Sequence, residues 1–111
     1  MGATEELEYD ESMISLLEAV WGEGFMSPGG ADEVDRVLGN KDLSGSRVLD
    51  IGCGIGGAAV HIALTRQPSR ITGIDIEKNL VDRAMDLAER NNVTAICDFQ
   101  QVEPGPLPFE P

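Results

Sequence analysis

The spacing of apolar residues changes period along this chain. Between about Asp10 and Trp21, Met13, Ile14, Leu16, Leu17, Val20 and Trp21 recur at helical spacing and predict a helix with one apolar stripe. Gly22 predicts its end, and a Gly/Pro-rich turn runs on to Gly30. A short helix is expected from about Asp32 to Leu38, with Val34, Val37 and Leu38 facing inward and Gly39-Asn40 stopping it. From residue 47 the pattern shifts. Arg47–Ile51 reads as a short buried strand, and the turn 52–57 opens a helix through about Thr65 with Ala58, Ala59, Ile62, Ala63 and Leu64 inside. Ile71–Asp75 reads as the next strand. A longer helix follows from Lys78 to Arg90, with Leu80, Val81, Ala84, Met85, Leu87 and Ala88 on its inner side. Asn91-Asn92 ends it, and Val93–Cys97 reads as a third strand. Strand, helix, strand, helix, strand implies an α/β fold with a parallel sheet and right-handed crossovers.

After Asp98 the periodicity stops. Glu103–Pro111 holds four prolines in nine residues and reads as an extended loop. The chain thus divides into an N-terminal helical entrance or lid segment (1–46), a βαβαβ half-domain (47–103) and a Pro-rich loop (104–111). At 111 residues there is room for one small domain at most. An apolar share of 41% suits a globular core.

Charge narrows the partners. Twenty acidic residues against eight basic ones give a net charge of −12. Such a chain is poorly suited to the phosphates of nucleic acid or to an anionic membrane, so neither is expected as a partner. No apolar run approaches the roughly 20 residues that span a bilayer, and the acidic N-terminus lacks the basic and apolar regions of a secretory signal. Residues 1–35 hold ten acids and no Lys or Arg. That reads first as a solvated face, and alternatively as a lid that attracts a cationic ligand. Two cysteines, Cys53 and Cys97, and one histidine, His61, are too few for a structural zinc, and no metal is expected. Free thiols and a cytoplasmic location are the expectation.

The chemistry concentrates at Val48-Leu49-Asp50-Ile51-Gly52-Cys53-Gly54-Ile55-Gly56-Gly57. A strand ends, glycines turn tightly, and a helix begins. Glycine tolerates positive φ and lets a ligand approach the backbone. In an open α/β sheet this turn lies at the carboxyl ends of the strands, where ligands bind. Gly52, Gly54 and Gly57 satisfy the GxGxxG dinucleotide pattern. Asp50 argues against that reading, because a carboxylate would repel a pyrophosphate and attract a ligand carrying an ammonium and a sulfonium. Asp75, closing the second strand, can accept hydrogen bonds from ribose hydroxyls, and Asp98 adds a polar group at the end of the third strand.

These residues resemble a family. Leu49–Gly57 is similar to motif I of the class I S-adenosylmethionine-dependent methyltransferases, and Thr72-Gly73-Ile74-Asp75-Ile76 to their second motif. Cys97-Asp98-Phe99 resembles the third. Tyr9 and Trp21–Gly30 resemble the entrance of the phosphoethanolamine and small-amine N-methyltransferases. The resemblance implies a Rossmann-like fold cut to about three parallel strands, order 3-2-1, with flanking helices. Pro106–Pro111 resembles the loop before strand 4, so the chain is expected to be the N-terminal half of such an enzyme.

The resemblance also implies roles, with S-adenosylmethionine as cofactor. Gly52 and Gly54 would border its methionine part, and Asp50 would hold its amino group. Cys53 would fill space beside the ligand. Asp75 would bind the ribose hydroxyls and Ile76 would pack on the adenine. Asp98 would contact the adenine amino group, with Phe99 beside the ring. Met26 and Ser27 would close over the cofactor, and Tyr9 would cap the catalytic site. The acceptor would be a small amine. Two other readings compete. One is a non-catalytic fragment that self-associates, as a homodimer, through an exposed first-strand edge of Val48, Leu49 and Ile51. The other is a dinucleotide-binding oxidoreductase.

Overall fold

A computed structural model describes residues 11–26 and 29–105 of the chain. Its elements are α1 (Glu11–Trp21), α2 (Gly30–Leu38), β1 (Arg47–Ile51), α3 (Gly57–Arg66), β2 (Arg70–Asp75), α4 (Lys78–Arg90) and β3 (Cys97–Gln101). The strands form one parallel sheet in the order β1-β2-β3, with Leu49 opposite Thr72 and Thr72 opposite Asp98. The fold class read from the sequence therefore holds, and β1 is an edge strand among the described residues.

Right-handed crossovers between sequential neighbours place α3 and α4 on one face of the sheet. The main core lies there. Ala59, Val60 and Ala63 of α3 and Val81, Ala84, Leu87 and Ala88 of α4 pack on Ile71, Cys97 and Phe99 of the sheet. Small residues at the crossing points let the helices approach closely. Residues alternating with these, Leu49, Thr72 and Asp98, form a row on the opposite face.

The third strand departs from expectation. Val93–Ile96 forms a turn, with the N–H groups of Ile96 and Cys97 donating to Val93 O at 3.1 and 2.9 Å. The strand therefore begins at Cys97 instead of ending there. Val93 is buried as expected of an apolar residue, but it caps the core from a turn.

The predicted stripes also shrink. Among the described side chains of α1 only Ile14 is fully buried, while Met13, Leu16 and Val20 are exposed and Leu17 is half-buried. Val37, Leu64 and Met85 are exposed as well, and Val60 is buried in their stead. The three strands among the described residues offer too little surface to cover every apolar position of the helices. No helix among the described residues is long and apolar enough to cross a membrane. Tyr9, Ser27, the Trp21 side chain and the loop 106–111 lie outside the described residues.

Candidate functional site: a cleft over the glycine turn

The turn after β1 is built on glycines in the left-handed region, Gly52 at φ +73° and Gly54 at φ +56°. A β-carbon on an L-residue would strain both positions. The N–H groups of Gly52 and Cys53 donate to Ile74 O at 2.8 and 2.9 Å, fastening the turn to the end of β2. Its backbone faces a cleft of about 740 Å³. The opposite walls come from Phe25 and Met26 of the entrance loop and from Glu33, Val34 and Val37 of α2. Ile55, Leu80 and Asp75-Ile76-Glu77 complete it. A β-carbon built on Gly52 would meet nothing within 4 Å, whereas one on Gly54 would stand 3.0 Å from Met26 Cε. The backbone is thus open at one glycine and covered by the entrance loop at the other.

Four acids line the cleft, Glu33, Asp50, Asp75 and Glu77, and among the described lining residues there is no Lys, Arg or His. Asp50 is the unusual one. Its Oδ2 is buried with no hydrogen-bond partner among the described residues. Burial, and secondarily the negative charge of Asp75, push its pKa above the ordinary carboxylate value. An unpaired buried carboxylate is destabilising unless something cationic or hydrogen-bonding meets it.

Asp75 is held differently. Its Oδ2 accepts the Gly54 N–H at 3.0 Å and its Oδ1 accepts the Glu77 N–H at 3.1 Å. Both oxygens are oriented by backbone, and each keeps a further lone pair. Ile76, just beyond, is 54% exposed and forms part of the wall. Cys53 lies under the turn. Burial, then Asp50 and Asp75, push its thiol up to about 12, so it is a space-filling neutral group. Cys97 is pushed up to about 12 as well, chiefly by burial, and sits in the core.

The Methyltransferase domain family matches residues 42–110. The chain belongs to the class I S-adenosylmethionine-dependent methyltransferases. It is 36% identical over 85 residues to phosphoethanolamine N-methyltransferase 1 of Triticum aestivum, spanning 76% of this chain and 17% of that protein. It is 32% identical over 111 residues to the 27-O-demethylrifamycin SV methyltransferase of Amycolatopsis mediterranei, spanning 89% of this chain and 40% of that protein. Among solved structures, Haemonchus contortus phosphoethanolamine N-methyltransferase 2 in complex with S-adenosyl-L-methionine superposes with a TM-score of 0.71 at 28% identity. That match covers 86% of this chain and 22% of the other. The chain thus spans well under half the length of each of these relatives.

In this methyltransferase chain, the structure brings together Met26, Asp50, Gly52, Cys53, Gly54, Asp75 and Ile76 around one cleft. It does not bring Asp98 or Phe99 there. With β3 beginning at Cys97, Asp98 stands near the amino end of its strand, opposite Thr72. It accepts the Thr72 hydroxyl at 2.8 Å and pairs with Arg70 at 3.2 Å on the sheet face away from the helices. Phe99 is 3% exposed and packed against Gly73 and Gly56 in the core. The carboxyl rim falls instead to Gln101–Glu103, where the Val102 N–H donates to Asp75 O at 3.0 Å. One signal for this was present. Cys97-Asp98-Phe99-Gln100 alternates apolar and polar, as a strand buried on one side does. The α2 wall has no such signal, because nothing in its sequence says that Glu33 and Val34 face the distant glycine turn.

Proposed function

We propose that the cleft binds S-adenosylmethionine and that the chain supplies the cofactor-holding part of a methyl transfer to a small amine of the phosphoethanolamine kind. The observation that carries this is the partnerless buried carboxylate oxygen of Asp50 beside the open backbone of Gly52. An ammonium group satisfies it, whereas a dinucleotide pyrophosphate would meet four carboxylates. Asp50 would hold the amino group and the Gly52–Gly54 backbone would border the methionine part. Asp75, oriented by Gly54 and Glu77, would accept the ribose hydroxyls. Ile76 would lie on the base and Met26 would cover the turn. When bound, the cofactor supplies a sulfonium-activated methyl group. The chain's part is to fix its position and shield it from water, since in-line transfer depends on alignment. Tyr9 and Ser27 carry their proposed roles on sequence resemblance alone. The amine acceptor is supported by the names of the wheat and nematode relatives, and the rifamycin relative marks hydroxyl acceptors as the competing class. Two buried free cysteines suit a reducing, cytoplasmic setting.

Calorimetric titration with S-adenosylhomocysteine, with NAD as control, tests the reading. Saturable binding of the first alone is expected. Absence of that binding, or preference for NAD, overturns it.

A second reading rests on the β1 edge, where Leu49 is 39% and Ile51 65% exposed. A strand with one edge free among the described residues and apolar side chains exposed favours pairing with a second copy, and a homodimer across this edge is the corresponding proposal.

A further inference from the structure

A small second core lies beneath the cleft. Ile14 of α1, Ile55 of the turn and Leu80 of α4 form it, with Met26 packed against them. Among the described side chains of α1, Ile14 is the one that is fully buried. Beside this apolar contact, ion pairs attach the helix to α4. Arg83, three residues after Leu80 on α4, places Nη1 2.8 Å from Glu11 Oε2 and Nη2 3.6 Å from Glu18 Oε1. Glu11 and Glu18 stand three residues before and four after Ile14, so they share its helix face. One guanidinium brackets the apolar plug.

The contact continues toward the cleft. Glu18 Oε2 accepts the Gly24 N–H at 2.6 Å. Gly24 O accepts the N–H of Gly57, the first residue of α3, at 2.7 Å. There is no slack at that point: a β-carbon on Gly57 would overlap Gly24 O, and one on Gly24 would stand 2.9 Å from Gly57 Cα. Two residues further on, Met26 Cε lies against Gly54.

We infer that Arg83 is a positioning residue for the cofactor site, holding α1 through Glu11 and Glu18 so that Gly24 and Met26 close on the Gly52–Gly57 turn. The inference rests on the cofactor reading of the cleft. Arg83 does not line the cleft, so its effect is transmitted through Glu18 and Gly24. Its side chain is 32% exposed, so dissolved salt weakens the attachment.

The test is S-adenosylhomocysteine affinity of the whole chain at about 0.05 M and about 0.5 M salt. For the wild type, Kd rises about three- to fivefold across that range. Arg83→Gln is expected to show the high-salt Kd already at low salt and to respond little to added salt. Arg83→Lys restores most of the low-salt affinity, and Glu18→Gln behaves as Arg83→Gln. A general loss of packing would not yield charge-dependent rescue, and thermal melts identify any variant that fails to fold. Wild-type Kd and salt response in both Arg83→Gln and Glu18→Gln overturn the inference alone. No binding by the wild-type chain overturns the cofactor reading, and this role with it.

Discussion

Asp50 concentrates the chemistry of the site in one side chain. Its folded-state pKa lies above the ordinary value of 3.8, chiefly through burial and then through Asp75. Between the unfolded and folded values, the folded chain keeps a proton that the unfolded chain has lost, so stability falls as pH rises through that window. Asp50→Asn removes this titration. Without ligand, the variant is expected to melt a few degrees higher than the wild type at pH 7 and to lose the wild type's decline above pH 4. With S-adenosylhomocysteine, its affinity is expected to fall at least tenfold, roughly the loss of a charge-assisted hydrogen bond. Thermal melts across pH, paired with calorimetry, check both. A variant that is less stable and binds equally well would remove Asp50 from the site. Asp50, Gly52, Gly54 and Asp75 were legible in the sequence because a strand-turn-helix with glycines at those spacings has few backbone solutions.

At the scale of elements, the four-residue displacement of β3 decides which side chains reach the cleft. The sequence run Val93–Cys97 is more β-like than Cys97–Gln101 in composition. The pairing chooses the latter, because it sets Cys97 and Phe99 against α3 and α4 and brings Gln101 level with Asp75. Phe99→Ala is therefore expected to lower unfolding free energy by about 3 kcal/mol, as removal of a buried core ring does. Asp98→Asn is expected to leave S-adenosylhomocysteine affinity within about twofold of the wild type, since the polar group sits away from the cleft. Urea unfolding and calorimetry distinguish this from an adenine contact, for which Asp98→Asn would weaken binding while Phe99→Ala left the fold intact.

At the scale of the whole molecule, the three strands among the described residues, with both crossover helices on one side, leave the first strand as an edge. Leu49 and Ile51 are exposed along it, and the strand carries no proline, with Arg47 and Asp50 as its charged residues. Sedimentation analysis is expected to show a dimer that Ile51→Lys returns to monomer. A monomeric wild type at high concentration would end the homodimer proposal. The net charge of −12 opposes association at long range, so the dimer should strengthen with added salt. The acidic entrance segment is only partly the solvated face that its composition suggests. Glu11, Glu18 and Glu23 pair with Arg83 and Arg90 of α4.

The order of elements, the parallel α/β class and the glycine turn with its two acids follow from the amino-acid order alone. These depend on local periodicity and on backbone conformations that few residues other than glycine adopt. The register of β3, the α2 wall of the cleft and the partners of the entrance acids emerge only on folding. Each of these depends on surfaces far apart in the chain meeting at close range. Apolar alternation fits more than one register, and a run of acids does not name the arginines it will face. The packing of α3 and α4 on the sheet selects among those options, and the register observed buries Phe99 and Cys97 against them.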